Sequence, residues 1–430
     1  MAGNVSLNTV TDGLVMYLDA ANTKSLADVP SRNLLLWSQQ FDNWSKYQST
    51  VSTDTTTAPD GTSTADTNIE TSGLTGWRGV SQQLNGVTSG GTYTFSIYAK
   101  NYNGRNIQMT VYDVPSYANV YTTNFNLQLG VIISSYDIGN GVLTNSSIVS
   151  VGNGWYRCSI SGYIPNATQV LPYVMLLNSG NTTSYTGDGV SGVYLWGGQM
   201  EVGNVATTYI PTTTTAVSRI PTWSDISKGE NNGTLTSGFT YNYSNGGSLV
   251  FDGVSNYVTI PNSDNIVFGN GDFTANVWIK FPLSSTGAAG AWGPILSKGC
   301  NTAAPAGTWW IAQTTSLTNR VSLNISSTTG GTFVTSLQSN DFSDGWHNIC
   351  VTRNGATSFM YSDGILIRTD TTSESNLSSI KPLTIGATFT TGITTQRTNT
   401  SMGITQLYNR ALSAAEVLQN YNAAKSRFGL

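Results

Sequence analysis

The sequence carries little charge. Only 10% of its 430 residues are Asp, Glu, Lys or Arg, and 19 basic residues stand against 23 acidic ones, giving a formal net charge of -4. A protein that neutralises nucleic-acid phosphates needs a basic excess, which this sequence lacks. We therefore expect no nucleic-acid partner and a surface kept soluble by neutral Ser, Thr and Asn side chains.

Cysteine and histidine are scarce as well. The three cysteines, Cys158, Cys300 and Cys350, are odd in number and widely spaced, which fits neither a disulfide framework nor a zinc cluster. Each is expected to be a small buried apolar residue. The single histidine, His347, cannot form a multi-histidine metal site, and no Gly-x-Ser-x-Gly motif accompanies it. We expect a structural role for His347.

Long apolar runs are also missing. No stretch reaches the roughly 18 consecutive apolar residues that a membrane-spanning helix needs. The first residues, Met1 to Val10, lack the basic and apolar segments of a signal peptide. The sequence therefore predicts no membrane insertion and synthesis in a cytoplasm.

The acidic residues show no pairing that would suit hydrolysis of a glycan. A glycosidase holds two carboxylates on either side of the scissile bond. In this sequence the acidic residues stand mostly alone in predicted turns, namely Asp252, Asp264, Asp272, Asp344 and Asp363. A phosphate-binding Gly-x-x-x-x-Gly-Lys motif is absent too. We predict a protein without enzymatic activity.

The apolar and polar residues that are present alternate as in β-strands. Leu14 to Leu18 is a short apolar run, and Thr92 to Lys100 and Ile107 to Tyr112 alternate with the period of a strand. Gly and Asn clusters separate such runs at the spacing of a sandwich. One helix is predicted near the end of the chain, where Ser413 and Glu416 form a capping box and the helix ends near Lys425. The fold class is therefore all-β, with two antiparallel β-sandwich domains and one short C-terminal helix.

Asp252 and Gly253 lie between two strand-like runs, Ser248 to Phe251 and Asn256 to Ile260. An Asp-Gly pair in this position is a strong signal for a tight turn, so we predict a β-hairpin here. Together with a series of later phrases, this segment resembles the concanavalin A-like, laminin-G-type jelly roll. The phrases are FDGVSNYVTI from Phe251, FTANVWIKF from Phe273, ILSKG from Ile295, DGWHNICVTRNG from Asp344, YSDG from Tyr361, LTIGA from Leu383 and ITQLYNRALSAAEV from Ile404.

Val10 to Asn22 is similar to the opening strand of the same family, whose next phrases begin only at Trp223 in this sequence. We therefore predict a discontinuous laminin-G-like jelly roll of residues 1–31 and 220–430, interrupted by an inserted domain of residues 32–219. The alternative is that Val10 to Asn22 forms an independent arm that docks on another subunit.

Residues 32–219 have a signature of their own. They resemble the carbohydrate-binding-module-like sandwiches found in tail and surface proteins of tailed bacteriophages. The phrases that carry this resemblance are Asn33 to Trp44, Ala58 to Asp66, Gly154 to Cys158, Val193 to Glu201 and Ala206 to Thr212.

The laminin-G resemblance implies one cofactor, a calcium ion at the rim of the sandwich. Asp252, Asn256 and Asp363 are the candidate ligands because they are acidic or amide residues in predicted turns. The alternative is that these side chains bind their own turn backbone.

Glycan binding through aromatic rings is the other candidate activity, because the apolar face of a sugar packs on Trp or Tyr. Trp292 lies in a predicted loop, and the neighbours Trp309 and Trp310 point to opposite faces of a strand. We expect one of this pair in the core and the other exposed or in an interface. For each of these tryptophans, a place in the core or a subunit interface is the alternative to a sugar platform.

These observations and resemblances predict a non-enzymatic structural protein on the virion surface of a tailed bacteriophage, either a head decoration or fibre, or a tail fibre component. It would be made in the host cytoplasm, contact other virion proteins and display lectin-like domains. We expect a homo-oligomer, with a trimer as one candidate. The first alternative is a receptor-binding adhesin that recognises a polysaccharide of the host surface, and the second is a polysaccharide-degrading enzyme.

Overall fold

The computed structural model describes residues 9–27, 31–219, 221–236, 238–286, 293–299, 306–314, 319–326, 333–371, 375–389 and 393–430. The chain divides into two units. Unit 1 combines Met1–Pro30 with Ile220–Leu430, and unit 2 is Ser31–Arg219. None of the described residues belongs to a helix that is long and apolar enough to cross a membrane.

The strands are numbered in chain order. Unit 1 begins with β1 (Leu14–Asp19). Unit 2 contains β2 (Ser31–Asn33), β3 (Ser45–Tyr47), β4 (Ser49–Thr56), β5 (Ala65–Glu70), β6 (Thr75–Gly76), β7 (Gly79–Ser81), β8 (Leu84–Asn85), β9 (Thr92–Tyr102), β10 (Asn106–Asp113), β11 (Val120–Asn126), β12 (Val131–Ile138), β13 (Val142–Gly152), β14 (Trp155–Tyr163), β15 (Gln169–Leu177), β16 (Tyr185–Thr186), β17 (Gly192–Val202) and β18 (Val217–Arg219).

Unit 1 continues with β19 (Thr222–Trp223), β20 (Gly233–Leu235), β21 (Thr240–Asn242), β22 (Ser248–Asp252), β23 (Val258–Ile260), β24 (Phe273–Phe281), β25 (Ser284–Thr286), β26 (Pro294–Lys298), β27 (Trp309–Gln313), β28 (Val321–Ser326), β29 (Phe333–Gln338), β30 (Gly345–Asn354), β31 (Thr357–Ser362), β32 (Ile365–Thr371), β33 (Leu383–Ile385), β34 (Ala387–Phe389), β35 (Ile393–Tyr408) and the helix α1 (Ala414–Ala424). Short 3-10 turns lie at Phe41–Asn43, Ser244–Gly246, Asp264–Ile266 and Lys425–Phe428.

Two antiparallel sheets form unit 1. The larger has ten strands, with the path β21-β22-β35-β24-β30-β31-β32 and with β1, β25 and β34 also paired to β35. The smaller has the order β19-β20-β23-β33-β26-β27-β28-β29. The first strand of the chain pairs with β35 of the same chain, from Leu14 opposite Tyr408 to Asp19 opposite Ile404. The predicted all-β fold class is confirmed.

The predicted hairpin around Asp252 is wrong. Strand β22 pairs with β21 and β35 in the larger sheet, whereas β23 pairs with β20 and β33 in the smaller one. The turn signal at Asp252 and Gly253 is real, and Gly253 has a φ of 69°. The strands do not resume until Val258, so the loop is long enough to carry the chain from one sheet to the other instead of folding back on itself.

The C-terminal helix begins as predicted. The Ser413 side chain accepts from the Glu416 amide and Glu416 reaches back to the Ser413 amide, which confirms the capping box. Arg410 adds a short ion pair to Glu416 (2.6 Å), and this pairing lowers the pKa of Glu416 to about 2. Beyond α1, the Phe428 ring stacks on Trp278 with ring centroids 4.3 Å apart, so the end of the chain is docked on the sandwich.

Unit 2 is a second antiparallel sandwich. Its six-stranded sheet has the order β13-β14-β9-β17-β5-β4. Its seven-stranded sheet has the path β12-β11-β10-β15-β7-β3, with β8 also paired to β15. The strands predicted at Thr92 and Ile107 are confirmed as β9 and β10. The alternation within them fixes which side chains enter the core and which lie on the opposite, outer face of each sheet.

Candidate functional site

The seven-stranded sheet of unit 2 presents an outer face that differs from its core face. On β10 the core side chains are Ile107, Met109 and Val111, each 0% exposed. The residues between them, Gln108 and Thr110, and the next one along, Tyr112, therefore point outward. Directly paired residues of antiparallel strands share a face, so the strand register assigns every outer-face position from β10 outward.

Three rows of side chains cross this side of the sheet, and together they define the outer face. The first row is Ser134, Asn124, Gln108, Met175, Gly79 and Tyr47. The second row is Tyr136, Thr122, Thr110, Tyr173, Ser81 and Ser45. The third row is Ile138, Val120, Tyr112 and Leu171.

Tyrosines surround a buried polar floor on this face. Tyr47 is 54% exposed and Tyr136 is 44% exposed, at opposite edges of the sheet. Between them Gln108 and Thr110 are only 5% and 1% exposed, although they point away from the core. This polar floor is therefore shielded from solvent. Such an aromatic rim around desolvated polar groups is typical of ligand sites.

Hydrogen bonds hold the floor in one arrangement. Gln108 Nε2 donates to Asn124 Oδ1 (2.8 Å) and to the Tyr136 hydroxyl (2.9 Å). Thr110 Oγ1 donates to Gln108 Oε1 (3.2 Å), and the Thr110 and Thr122 hydroxyls share a hydrogen bond of 2.7 Å. The orientation of the Gln108 amide is thereby fixed, and the polar groups of the floor are organised before any ligand arrives.

The Tyr173 hydroxyl has no hydrogen-bond partner among the described residues and its atom is buried. Burial raises the pKa of Tyr173, with smaller contributions from the neighbouring Tyr112 and Tyr47. Burial also raises the pKa of Tyr112, to which Tyr136 adds. The phenols are thus successive neighbours across the face, from Tyr47 through Tyr173 and Tyr112 to Tyr136. The hydroxyl of Tyr173 stays protonated at neutral pH and is an unused donor and acceptor at the centre of the face.

The three proposed calcium ligands do not form one site. Asp252 Oδ1 accepts from the amides of Val254, Ser255 and Asn256 at 2.8 to 2.9 Å. Burial opposes ionisation, but the hydrogen bonds from Ser255 and the turn amides outweigh it and lower the pKa of Asp252 to about 2. This is the alternative interpretation, a side chain that binds its own turn.

Asp363 lies far from that turn. Its Oδ1 accepts from the Asn348 amide (2.9 Å) and its Oδ2 contacts His347 Nδ1 (2.7 Å). The strand order places β35, β24 and β30 between β22, which carries Asp252, and β31, beside Asp363, a separation of about 19 Å. One ion cannot bind both carboxylates. The described residues also contain no group of three His, Cys, Asp or Glu side chains that could hold a metal.

None of the three tryptophans predicted as glycan or interface candidates is an exposed ring among the described residues. Trp292 lies outside the described residues. Trp309 (1% exposed) packs in the core against Phe273, with centroids 5.0 Å apart. Trp310 is 4% exposed, so the first of the two predicted environments, an exposed ring, is wrong, and the second, a subunit interface, stays a prediction. The reason is that β27 lies inside its sheet and is buried on both faces. Neither indole offers a free face to a sugar.

His347 takes part in an arrangement that the sequence did not reveal. Its Nε2 lies 3.1 Å from Ser343 Oγ and its Nδ1 lies 2.7 Å from Asp363 Oδ2, in the order of a catalytic triad. However, Nε2 also faces the Ser343 carbonyl oxygen at 3.2 Å, and the hydrogen bond to Asp363 raises the pKa of His347. When Nε2 donates to this carbonyl oxygen, it has no lone pair left to accept the serine proton. The geometry therefore supports a structural role.

The cysteines that the structure describes, Cys158 and Cys350, are unpaired and buried, and burial raises the pKa of both thiols. Cys300 lies outside the described residues. The two described cysteines therefore act as small apolar core residues and offer no reactive thiolate.

The tyrosines of the outer face were not predicted from the sequence. The alternation of Gln108, Thr110 and Tyr112 with apolar residues was visible in β10. What could not be read was that Tyr136, Tyr173 and Tyr47 would join them, because this depends on the register of strands distant in sequence.

Comparisons with known proteins give matches to part of the chain. No curated protein matches the sequence. Solved structures that are similar include the binding domain of Paraclostridial Mosquitocidal Protein 1 (14% identity, TM-score 0.38, 46% of this chain and 49% of that one). Another is the binding domain of botulinum neurotoxin serotype G (15% identity, TM-score 0.36, 46% of this chain and 47% of that one). The matched region spans about half the length of each of these domains.

The sequence model of one family matches within unit 1. The matched residues are 252–418, and the family is described as the concanavalin A-like lectin/glucanases superfamily, laminin-G type 3. This range contains strands of both sheets of unit 1 and the start of α1. Residues 252–418 are thus similar to the concanavalin A-like lectin/glucanases superfamily, and this match covers less than half of a chain of two β-sandwiches.

Proposed function

We propose that the outer face of unit 2 binds carbohydrate. The observation that carries this proposal is the buried Tyr173 hydroxyl, unpartnered among the described residues, beside three further tyrosines and a fixed Gln108 amide. Sugars combine apolar ring faces with hydroxyls that both donate and accept. Phenol rings match the former, and amide and phenol groups match the latter. A buried polar group without a partner is costly, and a ligand hydroxyl would remove that cost.

The biological setting proposed for this binding is a non-enzymatic protein on the virion surface of a tailed bacteriophage. It is supported by the resemblance of residues 32–219 to sandwich domains of phage tail and surface proteins. A head decoration or fibre and a tail fibre component are both consistent with this setting, with other virion proteins as partners and a homo-oligomer as the assembly. The tyrosine-rimmed face favours the adhesin version of this role, in which the glycan belongs to the host surface.

Binding to a glycan array, followed by calorimetry on the best ligand, tests the proposal. Tyr47→Ala and Tyr136→Ala each remove an exposed ring of the outer face and are expected to weaken binding about tenfold. The matched control is Tyr243→Ala, because Tyr243 is a partly exposed tyrosine (36%) of unit 1. If no glycan binds, or if all three variants weaken binding equally, the proposed function is wrong.

Labelling of the protein on intact particles tests the setting. Symmetric labelling over the capsid supports a decoration, and labelling at the tail end supports an adhesin. Purified particles that lack the protein altogether would exclude a virion role. A reducing-end assay on the bound polysaccharide tests the absence of hydrolysis, and product release at a rate above the buffer control would contradict it.

A further inference from the structure

The residues of the outer face, all of which the structure describes, include no charged side chain. The three rows contain Ser, Thr, Asn, Gln, Tyr, Met, Val, Ile, Leu and Gly residues. The strands that form these rows include three charged residues, Lys46, Asp113 and Asp137. Each stands at a position that alternates with the outer-face residues and therefore points the other way.

These three charges are also engaged elsewhere. Lys46 Nζ donates to the carbonyl oxygens of Asp42 (2.5 Å) and Trp44 (3.1 Å). Asp113 accepts from Ser116 and from the Asn119 amide and side chain. Asp137 Oδ1 accepts from the Leu143 amide (2.8 Å). No cation of these fully described strands is available to a ligand carboxylate or sulfate, and burying such a group without a partner is strongly unfavourable.

The tyrosines are spread across the strands and not along one strand. Tyr136 lies on β12 and Tyr47 on β3, which are the two ends of the path β12-β11-β10-β15-β7-β3. Five strand spacings separate them, about 24 Å. Tyr112 on β10 and Tyr173 on β15 lie between. A single sugar ring stacked on Tyr136 would leave Tyr47 without a contact, so full use of the face requires several sugars.

We propose that the ligand of this face is an uncharged, linear oligosaccharide segment that runs across the strands from β12 to β3. This inference rests on the proposed function. The central sugars lie over Tyr112 and Tyr173, where the Tyr173 hydroxyl has no partner among the described residues, beside the Gln108 amide that its own hydrogen bonds hold in place. The outer sugars stack on Tyr136 and Tyr47. The face therefore recognises the interior of a neutral polysaccharide, and an acidic terminal sugar is a poor ligand.

Calorimetry with defined oligosaccharides tests this inference. One series runs from one sugar to about eight sugars of neutral hexose chains that bind on the array, and the other contains sialylated and uronate-containing glycans. We expect affinity to rise with the length of the neutral chain by at least about tenfold overall. It should change less than about twofold between low and high salt, because no ion pair is screened.

Two variants make the test specific. Tyr47→Ala should weaken binding of the longest neutral chain about tenfold and leave the shortest binding chain unchanged, because no hydrogen bond among the described residues joins Tyr47 to Gln108 in the floor. Tyr173→Phe should weaken both. Melting temperatures close to the wild type verify that each variant is folded. If the best ligands are acidic or salt-sensitive, or if a monosaccharide binds as well as the longest chain, the inference is wrong while carbohydrate binding stands. If no glycan binds at all, the proposed function itself fails.

Discussion

Replacing Tyr173 by Phe should raise the stability of unit 2 and lower its affinity for carbohydrate. The change removes one hydroxyl, which is buried and has no partner among the described residues, and it keeps the ring. A buried polar group without a hydrogen bond costs about 1–3 kcal/mol. Its removal should therefore increase the free energy of unfolding by about 1 kcal/mol, a rise in melting temperature of roughly 2–4 °C for a unit of this size.

The loss of affinity follows from the same hydroxyl. One hydrogen bond between uncharged groups contributes about 0.5–1.5 kcal/mol, so the Tyr173→Phe protein should bind its glycan about 2–10 times more weakly. Differential scanning calorimetry and titration calorimetry measure the two effects on the same sample.

Tyr93→Phe is the matched control. Tyr93 is 6% exposed in the same unit, and its hydroxyl accepts from the Thr88 amide (2.7 Å). Loss of this hydrogen bond should destabilise the unit by about 1 kcal/mol without changing glycan affinity. If Tyr173→Phe destabilises the protein as Tyr93→Phe does, and binding is unchanged, the hydroxyl is not a reserved binding group and the reasoning fails.

Three further predictions concern the charged groups. Glu70→Gln should lower the free energy of unfolding of unit 2 by about 3–5 kcal/mol in urea melts, because Arg105, 13% exposed, loses a buried partner 2.8 Å away. The pKa of His347 is raised in the folded protein, so its ion pair with Asp363 stabilises unit 1 fully below about pH 6.5. This stabilisation is lost as the pH rises through the folded-state pKa. Thermal melts at a series of pH values should show the decline, and His347→Gln should abolish it. Chelation of calcium should leave the melting temperature of unit 1 unchanged, because both carboxylate oxygens of Asp252 accept hydrogen bonds from its own turn. A decrease in melting temperature that added calcium reverses would contradict this.

The local features of the chain could be predicted from sequence where they depend on neighbours a few residues apart. The capping box needs only Ser413 and Glu416, and strand β10 needs only its own alternation. The prediction of a hairpin around Asp252 was wrong because a local turn signal does not determine which sheet the next strand joins. The prediction of an exposed Trp310 was wrong for a related reason. Alternation predicts which way a side chain points, whereas burial depends on what else covers that face.

The outer face of unit 2 could not be predicted from the sequence because no short segment contains it. Gln108 belongs to β10, Tyr136 to β12, Tyr173 to β15 and Tyr47 to β3. Only the register of the strand pairs between β12 and β3 brings them to one side. The tryptophans of the sequence indicated instead Trp292, which lies outside the described residues, and β27, a strand buried on both faces.

The proposed affinity for sugar depends on how much of the outer face is ordered before a ligand binds. Gln108 is held by hydrogen bonds before binding, so its loss of rotamer freedom has already occurred during folding and does not weaken association. The Tyr136 hydroxyl is held by Gln108 as well, whereas the exposed ring of Tyr47 remains to be ordered by the ligand. A sugar stacked on Tyr47 must therefore offset the ordering of that ring. The central sugars meet preorganised groups and should contribute more per sugar, so the gain in affinity per added sugar should shrink as the chain reaches the edge of the sheet at Tyr47.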